Sequence, residues 1–274
     1  MVPALPQGVR LLFALLLTGC LVGDEASAPG GGGNVEPTGT GSGDPTDRPI
    51  PTNGLILDVA LAAQLPTAPL GTVSGTDVIV SNATFDTPGG HELMKYVATC
   101  ALPADQTLVI GGDRFEGFYG LARQWATAGC ADAECQHWVS ACLLAHANQQ
   151  GTPVAISLRS DINNAFVLAS QQLASFTYQE AAFYGNLFAH ELYACLGTDS
   201  FTGEDPQKFL EGRVCGLGAC GLQSTGVCAP LAAPYDHGSC THQPQSGGGY
   251  ADCHLSAGDT TTTYHEVVTV YLEP

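Results

Sequence analysis

Basic side chains are scarce. The 274 residues carry 8 Lys and Arg against 26 Asp and Glu, a formal net charge of −18. Nucleic-acid binding needs a basic footprint to neutralise phosphates, so that partner class is excluded. Electrostatic docking on anionic lipid headgroups is disfavoured for the same reason. Long apolar runs are missing too. The run Leu11–Leu17 falls well short of the roughly 20 residues that span a bilayer as a helix. Several chemical signatures are also missing. There is no Cys-x-x-Cys pair, no phosphate loop and no dinucleotide-binding fingerprint: the glycine spacing of Gly216-Leu-Gly-Ala-Cys-Gly221 falls in the Cys-rich stretch, without the strand before it and helix after it that the fingerprint needs. Gly71-Thr-Val-Ser-Gly75 lacks the Gly-x-Ser-x-Gly order of a nucleophile elbow.

The N-terminus is more explicit. Arg10 is the one charge of the first ten residues, and an apolar run, Thr18, Gly19 and Cys20 follow. A basic start, a short apolar stretch and small residues are the three parts of a secretory signal. Leu17-Thr18-Gly19-Cys20 resembles the lipobox of bacterial lipoproteins. The resemblance implies cleavage before Cys20, a signal peptide over residues 1–19 and a lipidated Cys20 as the first mature residue. It further implies several acyl chains, and two or more are needed for stable anchoring. The expected location is therefore the bacterial cell envelope, at the outer membrane, with the membrane held through Cys20. Eleven cysteines are an odd number for an exported chain. Lipidation of Cys20 leaves ten: Cys100, Cys130, Cys135, Cys142, Cys195, Cys215, Cys220, Cys228, Cys240 and Cys253. These are disulfide candidates in an oxidising compartment.

Residues 20–53 are rich in Gly, Pro, Ser, Thr and Asp and nearly devoid of apolar side chains. Such a stretch buries too little surface to offset its ordering entropy. It is expected to be a flexible linker with a reach of roughly 30 Å. Residues 54–274 are long enough for one globular domain.

Within that domain His91–Leu102 and the stretch after Cys135 show helical spacing. The second has Trp138/Val139, Cys142/Leu143 and His146 on one stripe. Asp77–Ser81, Thr107–Ile110, Thr152–Leu158, Ala181–Phe188, Glu191–Cys195 and Thr262–Leu272 read as strands. The expected fold class is α+β: two main helices packed on a mostly antiparallel sheet. A disulfide-rich, loop-rich segment, residues 195–255, is expected near the C-terminus. Cys100 and Cys142 each lie on the apolar face of a helix, so they are a candidate pair. Cys130 and Cys135 are placed to close a small loop.

Trp138-Val-Ser-Ala-Cys-Leu-Leu-Ala145, Ala182-Phe-Tyr-Gly-Asn-Leu-Phe188 and Tyr193-Ala-Cys195 resemble blocks that recur together in a Cys-rich family of bacterial lipoproteins. The family carries no assigned activity. The resemblance implies a shared fold from about Leu93 to Cys253 and nothing about mechanism.

Three His-Glu dipeptides invite a metalloprotease reading: His91-Glu92, His190-Glu191 and His265-Glu266. That chemistry needs a second histidine four residues after the first. Lys95, Ala194 and Thr269 stand there instead, so solvated or capping roles are expected. His237, Cys240, His242, Cys253 and His254 have spacings compatible with zinc, but disulfides outrank zinc in an oxidising compartment. Asp199–Asp205 lacks the spacing of a calcium loop and reads as a polar turn. His146 reads as a hydrogen-bonded core histidine. No metal and no cofactor are expected.

Two functions remain. The favoured one is an envelope lipoprotein presenting a disulfide-stapled binding or structural domain, to a protein or glycan partner. The alternative is an envelope hydrolase, with or without a metal, whose site is scattered in sequence. It requires at least two of Glu92, Glu180, Glu191, His137 and His190 to converge in a cleft.

Overall fold

A computed structural model describes residues 50–166, 170–215, 220–231, 237–241, 248–257 and 260–274. The signal segment, Cys20, most of the linker and His242 lie outside the described residues. The chain is α+β. Its elements, in order, begin with β1 (Thr52–Asn53), α1 (Val59–Ala62), β2 (Thr72–Ser74), β3 (Asp77–Ile79) and α2 (Pro88–Ala101). Next come β4 (Thr107–Ile110), β5 (Asp113–Glu116), α3 (Ala133–His146), β6 (Val154–Ala155) and β7 (Ser157–Arg159). Then follow α4 (Ser170–Ser175), β8 (Tyr178–Asn186), β9 (Glu191–Leu196), α5 (Pro206–Val214) and β10 (Leu222–Val227). The last are β11 (Cys240–Thr241), β12 (Asp252–Ala257), β13 (Thr260–Tyr264) and β14 (Val268–Leu272).

The two long helices have clear local causes. Asp132 caps α3 by accepting from the Cys135 amide at 2.8 Å, and Glu134 sits in the first turn, where a negative charge suits the helix dipole. Thr87 caps α2 by accepting from the Gly90 amide at 3.1 Å. Pro88 opens α2, three residues earlier than the sequence spacing suggests. Its fixed φ and missing N–H suit the first helical position. Gly90 is tolerated inside that first turn for a steric reason: a Cβ there would lie 2.2 Å from the Phe85 carbonyl oxygen.

The helices sit between two sheets. α2 packs on a four-stranded sheet ordered β2-β3-β4-β5, and α3 packs on a five-stranded sheet ordered β10-β9-β8-β14-β7. Adjacent strands are antiparallel except for β3–β4 and β9–β10, which are parallel. α2 and α3 touch each other and are joined by the Cys100–Cys142 disulfide. From Trp138 to His146 every residue of α3 is buried. A single apolar stripe therefore understates this helix, which has core on every side.

β1 pairs antiparallel with β6, so Thr52 and Asn53, linker by composition, already belong to the folded body. The His146 imidazole hydrogen-bonds the Thr52 carbonyl at 2.9 Å through Nδ1. His146 is fully buried, and burial pushes its pKa down to about 4. It is thus the hydrogen-bonded core histidine that its place on the helix suggests.

One strand expectation needs correction. Thr262–Leu272 is not a single strand: β13 ends at Tyr264, β14 begins at Val268, and they belong to different sheets. The break at His265–Val267 turns Glu266 towards His137. β14 is buried along Val268–Tyr271, so strict alternation fails there. The Cys-rich segment also holds more regular structure than its composition suggests: β10 extends the five-stranded sheet, and β11-β12-β13 forms a third sheet.

Candidate functional site

The scattered His and Glu residues do not share one cleft. Glu180, a candidate for acid–base work, forms a two-pronged ion pair with Arg213, at 3.0 Å from Nε and 3.0 Å from Nη2. Arg213 also donates to the Ala145 and Ala147 carbonyls at the end of α3 and lies over the Phe183 ring. Glu180 and Arg213 therefore clamp α5 and β8 onto the C-terminus of α3. Glu92 makes a 3.7 Å surface pair with Lys95. His190 takes the left-handed conformation at the turn into β9, with φ 59°.

His91 lies between two carboxylates. Nδ1 is 2.6 Å from Asp113 Oδ2 and Nε2 is 2.9 Å from Asp86 Oδ1. Donating to Asp86, and then to Asp113, raises its pKa. A shallow depression of about 450 Å³ opens beside it, but its acidic walls are already engaged by the imidazole. His265 pairs with Asp252 at 2.5 Å.

His137 and Glu191 do approach one another, through Tyr264. The His137 ring is 5.4 Å from the Tyr264 ring, and the Tyr264 hydroxyl donates to Glu191 Oε2 at 3.4 Å. Glu266 holds His137 Nδ1 at 3.1 Å. Burial, then the charge of Glu191, raises the Tyr264 pKa, so this hydroxyl remains a donor. Such a group can orient an imidazole, but no serine or cysteine is hydrogen-bonded to His137 among the described residues.

The ten cysteines of the domain form five disulfides. Cys100–Cys142 and Cys130–Cys135 are joined, as are Cys195–Cys228, Cys215–Cys220 and Cys240–Cys253. Two groups have three potential metal donors within 4.8 Å of one another: Cys100/Cys142/His146 and Cys195/Cys240/Cys253. In both, the cysteines are disulfide-bonded and offer no thiolate to a metal. The Cys240/Cys253/His254 part of the zinc-like cluster is therefore a disulfide with a neighbouring histidine.

A second cavity lies in the Cys-rich region, between β10 and the β11–β13 sheet. It measures about 470 Å³, within the range of small-ligand pockets. β10 contributes Ser224 and Thr225, the loop before β11 contributes His237, Gly238 and Ser239, and β12 and β13 contribute His254, Leu255, Ser256 and Thr261. Gly238 permits the close approach of that loop, since a Cβ would lie 2.6 Å from the Cys228 carbonyl oxygen.

The floor of the cavity is a chain of hydroxyls. Tyr184 OH is 2.5 Å from Thr225 Oγ1. Thr225 Oγ1 is 3.1 Å from Ser239 Oγ, which donates to the Val227 carbonyl at 3.1 Å. Tyr184 is buried, and burial pushes its pKa up to about 12. The ring of His254 is held by Thr263 Oγ1 at 3.1 Å through Nδ1. Below this floor two disulfides abut, with Cys195 Sγ 3.3 Å from Cys240 Sγ.

Of the pocket residues, sequence spacing marks His237 and His254, as part of a zinc-like cluster. Ser224, Thr225, Ser239, Ser256 and Thr261 carry no such mark, because serine and threonine are common and these come from three separate stretches. No family model matches the chain. No curated protein and no solved structure matches it either.

Proposed function

We propose that the chain is a lipid-anchored protein of the bacterial cell envelope whose disulfide-stabilised domain acts as a binding module. Its contact site is the pocket between β10 and the β11–β13 sheet. The anchoring half rests on Leu17-Thr-Gly-Cys20 behind a short apolar run, and on the Gly/Pro/Ser/Thr-rich stretch that follows. No helix among the described residues is long and apolar enough to cross a membrane, so the lipid is the attachment in this reading. The binding half rests on one observation: four of the pocket's polar side chains, Ser224, Thr225, Ser239 and His254, are already held by hydrogen bonds, and the Cys240–Cys253 bridge joins its walls. Groups ordered before the ligand arrives lower the entropy lost on binding.

A fatty-acid labelling experiment tests the anchor. The wild type should incorporate label and fractionate with membranes, and Cys20→Ser should do neither. An unlabelled, fully soluble wild type would remove the proposal. Capture of envelope components by the wild type, compared with a Ser256→Ala/Thr261→Val variant, tests the pocket. Equal capture by both would move the contact site elsewhere.

One observation favours the alternative hydrolase: His137 and Glu191 both meet Tyr264. Turnover of a peptide, ester or glycoside substrate that disappears in Glu191→Gln and His137→Gln would establish it in place of the binding module.

A further inference from the structure

The chemistry of the pocket walls selects a ligand class, provided that this pocket is the contact site. We propose that it takes a neutral, polyhydroxylated ligand, a short stretch of glycan.

The walls exclude other classes in turn. An apolar ligand would have to desolvate the hydroxyls and imidazoles of the lining, which opposes it. A cation needs carboxylates, and none of the described lining residues is Asp or Glu. Phosphates and carboxylates are held best by arginine forks or lysine. The described lining residues include neither, and a net charge of −18 repels anions at a distance.

What the walls do offer is hydroxyls. Ser224, Thr225, Ser239, Ser256 and Thr261 each present one. The protons of Thr225 and Ser239 are engaged within the protein, by the Ala194 carbonyl or Ser239 Oγ and by the Val227 carbonyl, so these two hydroxyls offer acceptor lone pairs, while those of Ser224, Ser256 and Thr261 both donate and accept, as a sugar hydroxyl does. The imidazoles of His237 and His254 add ring nitrogens of the same dual character. Leu255 alternates with His254 and Ser256 along β12 and packs against the tyrosine and cysteine core, which supports the wall from behind. The hydroxyls of Thr225 and Ser239 are oriented from beneath by Tyr184 and the Val227 carbonyl. At these two positions the ligand meets directions already fixed.

The same walls argue against cleavage of that ligand. Glycoside hydrolysis generally uses a pair of carboxyl groups flanking the bond, and the described lining residues supply none. The bound saccharide is expected to be released intact.

Ser256 and Thr261 are exposed, so Ser256→Ala and Thr261→Val can remove pocket hydroxyls without disturbing the buried tyrosine beneath Thr225. Thr72→Val, on an exposed strand of the other sheet, is the control. The detergent-solubilised full chain would be titrated with neutral hexose oligosaccharides, N-acetylhexosamine oligosaccharides, a uronic-acid oligosaccharide and inorganic phosphate. The expected result is saturable binding of a neutral oligosaccharide. Each pocket substitution should weaken it by roughly two- to tenfold, the worth of one hydrogen bond, and Thr72→Val should leave it unchanged. Binding of phosphate or uronic acid alone would overturn the glycan inference. So would capture of an envelope protein through Ser256 and Thr261 with no saccharide bound, and in that case the binding-module reading would stand. Saccharide binding indifferent to both pocket substitutions would overturn the inference and that reading's pocket together.

Discussion

Breaking the Cys100–Cys142 bridge should destabilise the domain more than breaking the short Cys130–Cys135 bridge nested inside it. The bridge joins α2 to α3 across 42 residues, the widest separation of the five. Cys130–Cys135 spans 5 and Cys195–Cys228 spans 33. In the chain-entropy account a cross-link acts on the unfolded chain, by an amount that grows with the logarithm of the loop. Applied here, the 42-residue separation corresponds to about 4 kcal/mol and the 5-residue separation to about 2 kcal/mol. The short loop lies inside the long one. Its own closure shortens the long loop in the unfolded state by a few residues and changes the larger figure by only about 0.1 kcal/mol. Cys100 and Cys142 are also fully buried, so replacing both by Ala leaves a cavity and adds to the loss. The double variant Cys100→Ala/Cys142→Ala should thus lose at least about 4 kcal/mol, or roughly 8–16 °C in Tm for a domain of this size. The assay is urea and thermal unfolding, with the remaining four bridges verified by peptide mapping. Cys130→Ala/Cys135→Ala is the internal comparison. Equal losses in the two double variants would refute the loop argument.

The remaining predictions concern buried and paired charges. The low pKa of His146, about 4, means that the unfolded chain takes up its proton first; the ordinary value is about 6.5. This contribution is intact above pH ~6.5 and is lost as pH falls towards 4, on the order of 3 kcal/mol in all. His146→Gln should flatten the stability slope across that window, and an unchanged slope would show that another group is responsible. His91 behaves with the opposite sign: its raised pKa gives a contribution fully present below pH ~6.5 and lost as pH rises through the folded value. Asp86→Asn should lower the His91 midpoint in an NMR titration; an unmoved midpoint would rule out the pairing. Glu180→Gln leaves the Arg213 guanidinium without a counter-charge among side chains that are 8–9% exposed. That change should cost about 3–5 kcal/mol in urea unfolding, and a loss under 1 kcal/mol would contradict the clamp.

Legibility in the sequence followed the range of the cause. Helix α3 shows in the spacing of Trp138, Cys142 and His146 because its pattern is local, and Asp132 and Glu134 announce its start. The Cys100–Cys142 pair follows from two such helix faces meeting. The strands around Ala182 and Tyr193 show in short apolar runs. By contrast, Glu266 meets His137 from 129 positions away, and Arg213 meets Glu180 across 33. Neither has a local signature. The Thr262–Leu272 run alternates in sequence, yet the chain changes sheets inside it, at the point where Glu266 meets His137. The pocket is the least legible feature, since its hydroxyls are brought together only by the pairing of β12 with β13 and the folding back of β10.

The placement of the disulfides follows from how the two cores are filled. The larger core lies between the two sheets and is dominated by aliphatic and aromatic side chains such as Leu93, Met94, Val97, Leu143 and Val270. The smaller one lies under the pocket. It is built around Tyr184, Tyr193, Tyr250 and Tyr264 with Cys195, Cys228, Cys240 and Cys253, and few aliphatic side chains. Each tyrosine hydroxyl needs a partner when buried, so this core gains less from burial than an aliphatic one of equal size. Two cross-links make up the difference. Cys195–Cys228 ties β9 to the end of β10, and Cys240–Cys253 ties β11 to β12. Two of the tyrosine hydroxyls reach towards the surface, Tyr184 supporting Thr225 and Tyr264 supporting Glu191, while Tyr250 donates to the buried Gln179. A core that is stapled in this way can turn polar groups towards its surface without losing its shape. That is the condition a small polar binding site requires, because its hydrogen bonds add little unless their directions are set before the ligand arrives.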